Sequence, residues 1–262
     1  MSGPESRATI SATVITLNEE RNIRACLDSL SWCDELIVVD SASSDQTVAL
    51  ARRQGARVIT RPFTNYADQK NFALAQATRD WILSVDADER VTPELAAEIA
   101  AALANPGDVV GFFLPRRNHI FGKWIDHGEW WPDYKLRLIR RGQGQWQGLV
   151  HEVLLADGPV RYLHAALLHY AHETISGFVS KMDRYTTIEA QGWQAAGIRP
   201  SLWKMLLYPP GLFAYEYIWR RGALDGVHGF VLAILMAYYN FLKRAKLWEL
   251  SLQKKTELPS SS

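Results

Sequence analysis

Two carboxylates one residue apart, Asp86 and Asp88 in "WILSVDADERVTPEL", follow an apolar run and precede a helix-opening Thr-Pro-Glu-Leu. Hard divalent cations prefer carboxylate oxygens and bridge phosphate oxygens, so such a pair suits Mg²⁺ or Mn²⁺ on a nucleoside diphosphate. The plainer alternative is a solvated strand end followed by a helix cap, and a D-x-D triplet alone does not choose between them. Polar residues recur in equivalent places, however. Asn18 and Glu19 follow "TISATVITL", and Asp40 with the serines of "DSASSD" follows "ELIVV". No G-x-x-x-x-G-K-[ST] loop is present, and "VITLNEERNI" stands where a G-x-G-x-x-G turn would follow the first apolar run. These observations argue against a kinase, an NTPase or a dinucleotide-dependent oxidoreductase. Phosphates would then be neutralised mainly by the metal, with help from Lys70 or Arg137.

The elements that must position these residues follow from periodicity. From residue 8 to 115, short apolar runs alternate with helical stretches such as "EERNIRACLDSLS", "NYADQKNFALAQAT" and "PELAAEIAAALA". Strands alternating with helices predict βαβ units and a doubly wound, mostly parallel α/β sheet with helices on both faces. Ligands of such sheets bind beyond the carboxyl ends of the strands, which is where the acids fall. After residue 116 the alternation fails, and Gly- and Trp-rich loops lead through "WWPDYKLRLIRRGQGQWQGLVHEVL". From 174 onward the pattern is helical. The expected division is therefore 1–173, with a nucleotide-binding half at 8–115 and an acceptor-side segment at 116–173, followed by a helical extension at 174–262.

A formal net charge of +1 lacks the positive excess of a dedicated nucleic-acid binder, so no nucleic-acid partner is expected. Cys26 and Cys33 are the only cysteines, with no second pair to complete a zinc site, and both are read as reduced thiols. The polar start "MSGPESRATI" has no basic segment and apolar core of a secretion signal, which predicts a cytoplasmic protein. In the last predicted helix the apolar stretch "GFVLAILMAYYNFL" is shorter than the roughly 20 residues of a membrane span, and Lys243, Arg244 and Lys246 follow it. Packing on the core and lying in a membrane interface both fit. Lys204, Arg220 and Arg221, set among Trp and Tyr residues, favour an anionic membrane surface.

The stretches "ATVITLNEERNIRACLDSL", "ELIVVDSASSDQT", "ADQKNFALAQATRDWILSVDADE" and "PDYKLRLIRR…VHE" together resemble family 2 glycosyltransferases of the GT-A fold. The resemblance is nearest to the bacterial branch of lipopolysaccharide core glucosyltransferases. It covers residues 8–155, and "RGALDGVHGFVLAILMAYYNFLKRAK" is similar to the C-terminal end of that branch. It implies inverting transfer of a hexose from a nucleotide sugar, usually a UDP-sugar, to a hydroxyl of a lipid-linked saccharide, with Mg²⁺ or Mn²⁺ as cofactor. Carried over by position, Thr16, Leu17, Asn18 and Glu19 would line the nucleotide pocket, Asp40 would bond the uracil, and Lys70 would reach the nucleotide. Asp86 would approach the ribose or sugar, and Asp88 would be the main metal ligand. For Asp40 the alternative is a cap on the following turn, where Ser41, Ser43 and Ser44 compete.

Inversion needs a general base for the acceptor hydroxyl. The "ED" pair that many members of the wider family carry after the metal motif is absent from this sequence, which leaves Glu152, Asp133 and Glu129 as candidates. Glu152 is the first choice because His151-Glu152 closes an apolar strand-like run and matches the "HE" of the branch; the alternative is an ordinary strand-end acid. Asp133 would then bind acceptor or order the loop. Among the histidines, His151 is the expected participant, while His164, His169 and His172 are read as structural or surface groups. Arg137, Arg140 and Arg141 fit either a clamp on the diphosphate or on an acidic acceptor, or a solvated edge strand. Trp124, Trp130 and Trp131 fit a sugar-stacking wall or a core cluster. The same fold also carries polyprenyl-phosphate and protein or peptide glycosyltransferases, and a non-catalytic sugar-nucleotide scaffold would need the pocket without Glu152.

Overall fold

The computed structural model describes residues 7–148 and 152–257. These group into two compact units, one formed by the chain up to 118 together with 133–170, the other by 119–132 and the chain from 171 onward. The segment 119–132, which the sequence division keeps with the first domain, groups with the C-terminal helices.

In chain order the first elements are β1 (Ile10–Thr16), α1 (Ile23–Ser29), β2 (Glu35–Asp40), α2 (Thr47–Arg53), β3 (Arg57–Thr60), α3 (Tyr66–Gln76), β4 (Trp81–Asp86), β5 (Glu89–Val91) and α4 (Pro93–Ala104). Then come β6 (Gly111–Ile120), β7 (Lys123–Trp124), β8 (Asp133–Arg140), β9 (Gly144–Gln147), β10 (Val153–Ala156), β11 (Val160–Tyr162) and β12 (Leu167–His172). The large sheet runs β3-β2-β1-β4-β8-β6-β12-β5, with β7 and β11 also paired to β6.

Strands β3, β2, β1 and β4 are mutually parallel, as the βαβ pattern predicts. The near-continuous apolar runs of β1, β2 and β4 are explained by burial on both faces, whereas β3 is a part-exposed edge. Alternate side chains sort into two cores. Ala12 and Val14 of β1 join Ile23 and Leu27 of α1 and Leu95 and Ile99 of α4 on one face. Ile37 and Val39 of β2 join Ala67 and Ala73 of α3 and Trp146 of β9 on the other. Helix α4 starts as "TPEL" foretells: the Thr92 hydroxyl accepts from the Leu95 N–H at 3.1 Å, and Pro93 occupies the first turn.

Beyond β4 the sheet becomes mixed, with β11 parallel to β6 and several pairs antiparallel. "VVGFFLPR" becomes part of β6, which pairs antiparallel with β8, and β8 pairs antiparallel with β4. The loop-rich reading of 116–173 is corrected accordingly, since this region supplies strands β7, β8, β11 and β12 of the large sheet and a separate antiparallel pair, β9 with β10. Its strands are short and its turns glycine-rich, so apolar periodicity has few residues over which to show itself.

The register matters for function. Thr16 pairs with Asp40 across β1 and β2, and Ile15 pairs with Asp86 across β1 and β4. Three strands thus end at one level, and the polar residues that follow them share one edge.

The second unit contains helices α5 (Ile175–Ala195), α6 (Leu202–Ala214) and α7 (Val227–Glu257), with a π turn at Tyr215–Trp219 and a 3₁₀ turn at Gly222–Asp225 between the last two. Its core joins Phe178 and Met182 of α5 to Leu232 and Tyr239 of α7, with Ile120 and Ile125. Trp130 packs partly buried against this core, which is the structural one of its two sequence readings. No described helix is long and apolar enough to cross a membrane. Tight backbone contact fixes the start of α7, because a Cβ on Gly229 would overlap the Gly222 carbonyl oxygen. A Cβ on Gly192 of α5 would meet nothing within 4 Å.

Gly229→Ala is therefore expected to destabilise by about 1–3 kcal/mol through overpacking, whereas Gly192→Ala is expected to be neutral or to stabilise by up to about 1 kcal/mol. Urea unfolding of the two variants checks the contrast, and equal effects would contradict the close approach.

Candidate active site

Asp86 ends β4 and enters the first unit with its side chain 27% exposed. Its two carboxylate oxygens meet two cations: Lys70 Nζ lies 2.8 Å from Oδ1, and Arg137 Nη2 donates to Oδ2 at 2.6 Å. Burial works against its charge, but Arg137 and then Lys70 outweigh it and hold the Asp86 carboxyl well below the usual range. Asp86 is thus an anion fixed in orientation by α3 on one side and β8 on the other.

The network continues behind it. Arg137 Nη2 also donates to Glu89 Oε1 at 2.8 Å, and Glu89 Oε2 accepts the Asp86 N–H at 2.9 Å. Glu89 is fully buried and Arg137 nearly so. Arg116 lies 3.4 Å from Glu89 and donates to Asp133 Oδ2 at 2.6 Å, while Lys135 Nζ lies 2.9 Å from Asp133 Oδ1. Burial opposes the charge on Asp133, but Arg116 and Lys135 together lower its pKa. At the other end, Lys70 Nζ donates to Glu152 Oε1 at 2.7 Å and stands 4.5 Å from the centre of the Trp146 ring. Cations and carboxylates alternate from Glu152 through Lys70, Asp86, Arg137, Glu89 and Arg116 to Asp133. Alternation of this kind lets a buried set of charges persist, because each is neutralised by its neighbours.

Asp88 meets an imidazole. Its Oδ2 is 3.4 Å from His169 Nε2, and His169 Nδ1 lies 2.6 Å from Asn118 Oδ1. The pairing of β12 with β5 accounts for the approach, since His169 is registered opposite Glu89 and the Tyr170 N–H donates to the Asp88 carbonyl at 2.9 Å. A carboxylate oxygen and an imidazole nitrogen at one point, with the far ring nitrogen on an amide oxygen, form a donor pair that fits a divalent cation. No cluster of three or more His, Cys, Asp or Glu suited to a metal occurs among the described residues. The remaining coordination would fall to phosphate oxygens and water, which is how Mg²⁺ is commonly held beside a nucleotide.

The nucleotide-side residues gather at the same strand ends. Thr16 is buried, and its hydroxyl has no hydrogen-bond partner among the described residues. Leu17 is exposed, and Asn18 adopts the left-handed conformation with φ 55°. That turn lets Asn18 Oδ1 accept the Ser44 N–H at 2.9 Å. The Glu19 N–H donates to Thr47 Oγ1 at 2.8 Å. Burial, with Asp88 and Asp45 adding to it, raises the Glu19 carboxyl pKa against the lowering from Asn22 and Arg90. Asp40 is buried and bonds the backbone N–H and the hydroxyl of Ser43, the turn-capping role set beside base contact in the sequence.

Two expected positions look different in three dimensions. Arg137 is no open clamp and lies on no edge strand: β8 sits between β4 and β6, and the guanidinium is held beneath Asp86. Glu129 belongs to the second unit, where its N–H donates to Glu216 Oε2 at 2.8 Å. His151 falls outside the described residues. Sequence reasoning did not single out Glu89, and it read His169 as a structural or surface group, whereas the structure sets His169 against Asp88. Glu89 completes "DADE" and carried a signal in its closeness to the acid pair; His169 carried none, because only strand pairing brings it there.

A parallel four-strand start, antiparallel continuation and acids at the carboxyl edge define the GT-A architecture of glycosyltransferases. Residues 11–155 match the family described as "Glycosyl transferase family 2", and the chain belongs to that family. It is 33% identical over 252 residues to "Lipopolysaccharide core biosynthesis glycosyltransferase LpsC" of Rhizobium meliloti (strain 1021), covering 92% of each protein. An uncharacterised glycosyltransferase of Rickettsia conorii (strain ATCC VR-613 / Malish 7) is 30% identical over 96% of this chain and 94% of its own. Among solved structures, mannosyltransferase PcManGT from Pyrobaculum calidifontis, in complex with GDP-Man and Mn²⁺, shares the fold. Its TM-score is 0.57 at 17% identity, covering 94% of this chain and 89% of that one.

Removing Glu89 would leave the buried Arg137 paired on one side only. Glu89→Ala is expected to cost about 3–5 kcal/mol of unfolding free energy. A urea-unfolding loss below about 1 kcal/mol, as for a surface pair, would contradict the buried bridge.

Proposed function

We propose that this family 2 glycosyltransferase is metal-dependent and inverting, and that it moves a hexose from a UDP-sugar to a lipid-linked saccharide of the lipopolysaccharide core or a related envelope glycan. The observation that carries the reading is the placement of Asp86 and Asp88 at the carboxyl edge of the parallel strands, with Asp88 against His169. The similarity to LpsC along nearly the whole chain supports the acceptor class.

Thr16, Leu17, Asn18, Glu19 and Asp40 line the nucleotide end, and Asp86, oriented by Lys70 and Arg137, faces the ribose or sugar. Asp88 and His169 would hold Mg²⁺ or Mn²⁺, which when bound offsets the charge of the diphosphate. Glu152, kept in place by Lys70, takes the proton of the acceptor hydroxyl as that oxygen bonds to the anomeric carbon. The bond from the anomeric carbon to the diphosphate breaks on the opposite side, and UDP departs with the electron pair. Asp133, fixed by Arg116 and Lys135, orders the acceptor side.

Membrane association at the inner face of the cytoplasmic membrane is part of the same reading. In the second unit Trp203 is 74% exposed and Trp219 is 79% exposed, and Leu207, Ile218 and Val227 are exposed as well. Lys204 and Arg221 are exposed among them, a combination suited to an anionic interface.

UDP release from a panel of UDP-sugars, with Mn²⁺ or with chelator, tests the reaction class. Metal-dependent release from one donor by the wild type, abolished in Asp88→Ala, is expected; wild-type release in that variant would remove Asp88 from the metal site. Glu152→Gln is expected to lower transfer by about 10²–10⁴-fold while donor binding persists. Near-normal turnover would move the base to Asp133. Donor binding with no acceptor ever glycosylated would favour the scaffold reading.

A further inference from the structure

Helix α6 contributes no buried residue to its unit, although it is strongly apolar and carries Pro209 and Pro210 in its interior. It flanks α7 in an antiparallel sense: Phe213 meets Phe230 with ring centres 5.8 Å apart, and further along Tyr208 meets Arg244. Between the two helices lies an open cleft of ≈ 430 Å³. Leu206, Pro209 and Phe213 form one wall, and Ile234, Ala237 and Phe241 form the other, each set at the spacing of a single helix face. The volume falls within the range of small-molecule sites. A lining without a charged side chain selects a hydrocarbon over a polar ligand.

The two ends of the cleft differ. One is closed by rings, with Tyr217 5.4 Å from Phe213 and 5.6 Å from Phe230. At the other, Arg244 continues the α7 row one turn beyond Phe241. Its guanidinium lies 4.4 Å from the Tyr208 ring centre, and its Nη1 donates to the Asn240 carbonyl at 3.0 Å. Among the described residues Arg244 makes no ion pair. Exposed Lys204 lies one turn before Tyr208 on α6. Glu189, the acid near Arg244, is itself paired with Lys243 at 3.2 Å, and a guanidinium stacked on a ring with an ammonium one helical turn away is suited to a phosphate.

We propose that the α6–α7 cleft binds one hydrocarbon chain of a phosphate-bearing membrane lipid, with the chain end toward Phe213 and Phe230 and the phosphate on Arg244 and Lys204. Charge at one end and an aromatic stop at the other give the occupant a direction. The second unit then engages a single lipid molecule in addition to lying on a bilayer. The proposal deepens the membrane reading above, but its test needs neither a bilayer nor glycosyl transfer, so the two can fail separately.

The full chain in nonionic detergent is irradiated with phosphatidic acid that carries a diazirine near the end of one acyl chain, and the adducts are mapped by mass spectrometry. Adducts are expected between Leu206 and Phe213 and between Ile234 and Phe241. Excess unlabelled phosphatidic acid is expected to compete, and phosphatidylcholine at least tenfold less well. Ala237→Trp, which fills the cleft, and Leu206→Asp, which charges an already exposed wall, should each reduce labelling at least tenfold; either variant alone decides if the other does not fold. Arg244→Gln should weaken the preference for phosphatidic acid, while Trp219→Ala should leave labelling unchanged. Adducts centred on Trp219, Leu224 and Val227, or labelling indifferent to the cleft variants, would overturn the proposal and leave only a face resting on lipid. Cleft adducts in a protein that releases no UDP would keep the lipid site and remove the transfer reading.

Discussion

The site in the first unit depends on the Arg137 guanidinium being held in the sheet between two carboxylates. An arginine at that depth requires neutralising partners, and one of them, Glu89, is itself inaccessible to solvent. Asp86 is different, because it keeps partial exposure while bonded to the same nitrogen. The buried pair therefore acts as a foundation, and Asp86 is the face it presents. Orientation fixed in advance is what a binding carboxylate needs, since a ligand then has no side chain left to order. Lys70 adds a second constraint from α3 and passes it to Glu152, so the candidate sugar-facing acid and the candidate base share one ammonium.

Asp88 is two residues beyond Asp86, and a different strand pairing sets its surroundings. Its partner is His169, brought in by the β5–β12 pairing. An acid pair that looks uniform in the sequence is thus divided by its surroundings. One member is tied to fixed cations and the other stands beside a neutral-capable donor that suits an added one. The alternation of strand directions and the short β5 strand between "DAD" and "TPEL" produce that difference.

Much of the first unit was legible because its signals are local. Continuous apolar runs mark β1, β2 and β4, the Thr-Pro start marks α4, and the strand ends put Asn18, Asp40 and Asp86 at one edge. Register across distant segments left no such trace. The burial of Arg137 depends on β8 lying between β4 and β6, and its alternation with apolar neighbours reads equally as an edge strand. His169 follows from a pairing of segments some 80 residues apart. For Asp40, turn capping and base contact use the same oxygens, so residue type could not separate them. In the second unit the apolar helices were evident, whereas the exposure of nearly all of α6 follows from its lack of a buried face.

The most direct test of the central claim, that Asp88 and His169 form the metal side of a nucleotide site, is calorimetric titration of the wild type with UDP in Mn²⁺ and in chelator, repeated on His169→Ala. Mn²⁺ is expected to tighten UDP binding to the wild type by at least tenfold, and that gain is expected to disappear in the variant while UDP still binds weakly through the strand-end residues. UDP binding that is equal with and without Mn²⁺, or a gain that survives the loss of His169 unchanged, would contradict the assignment.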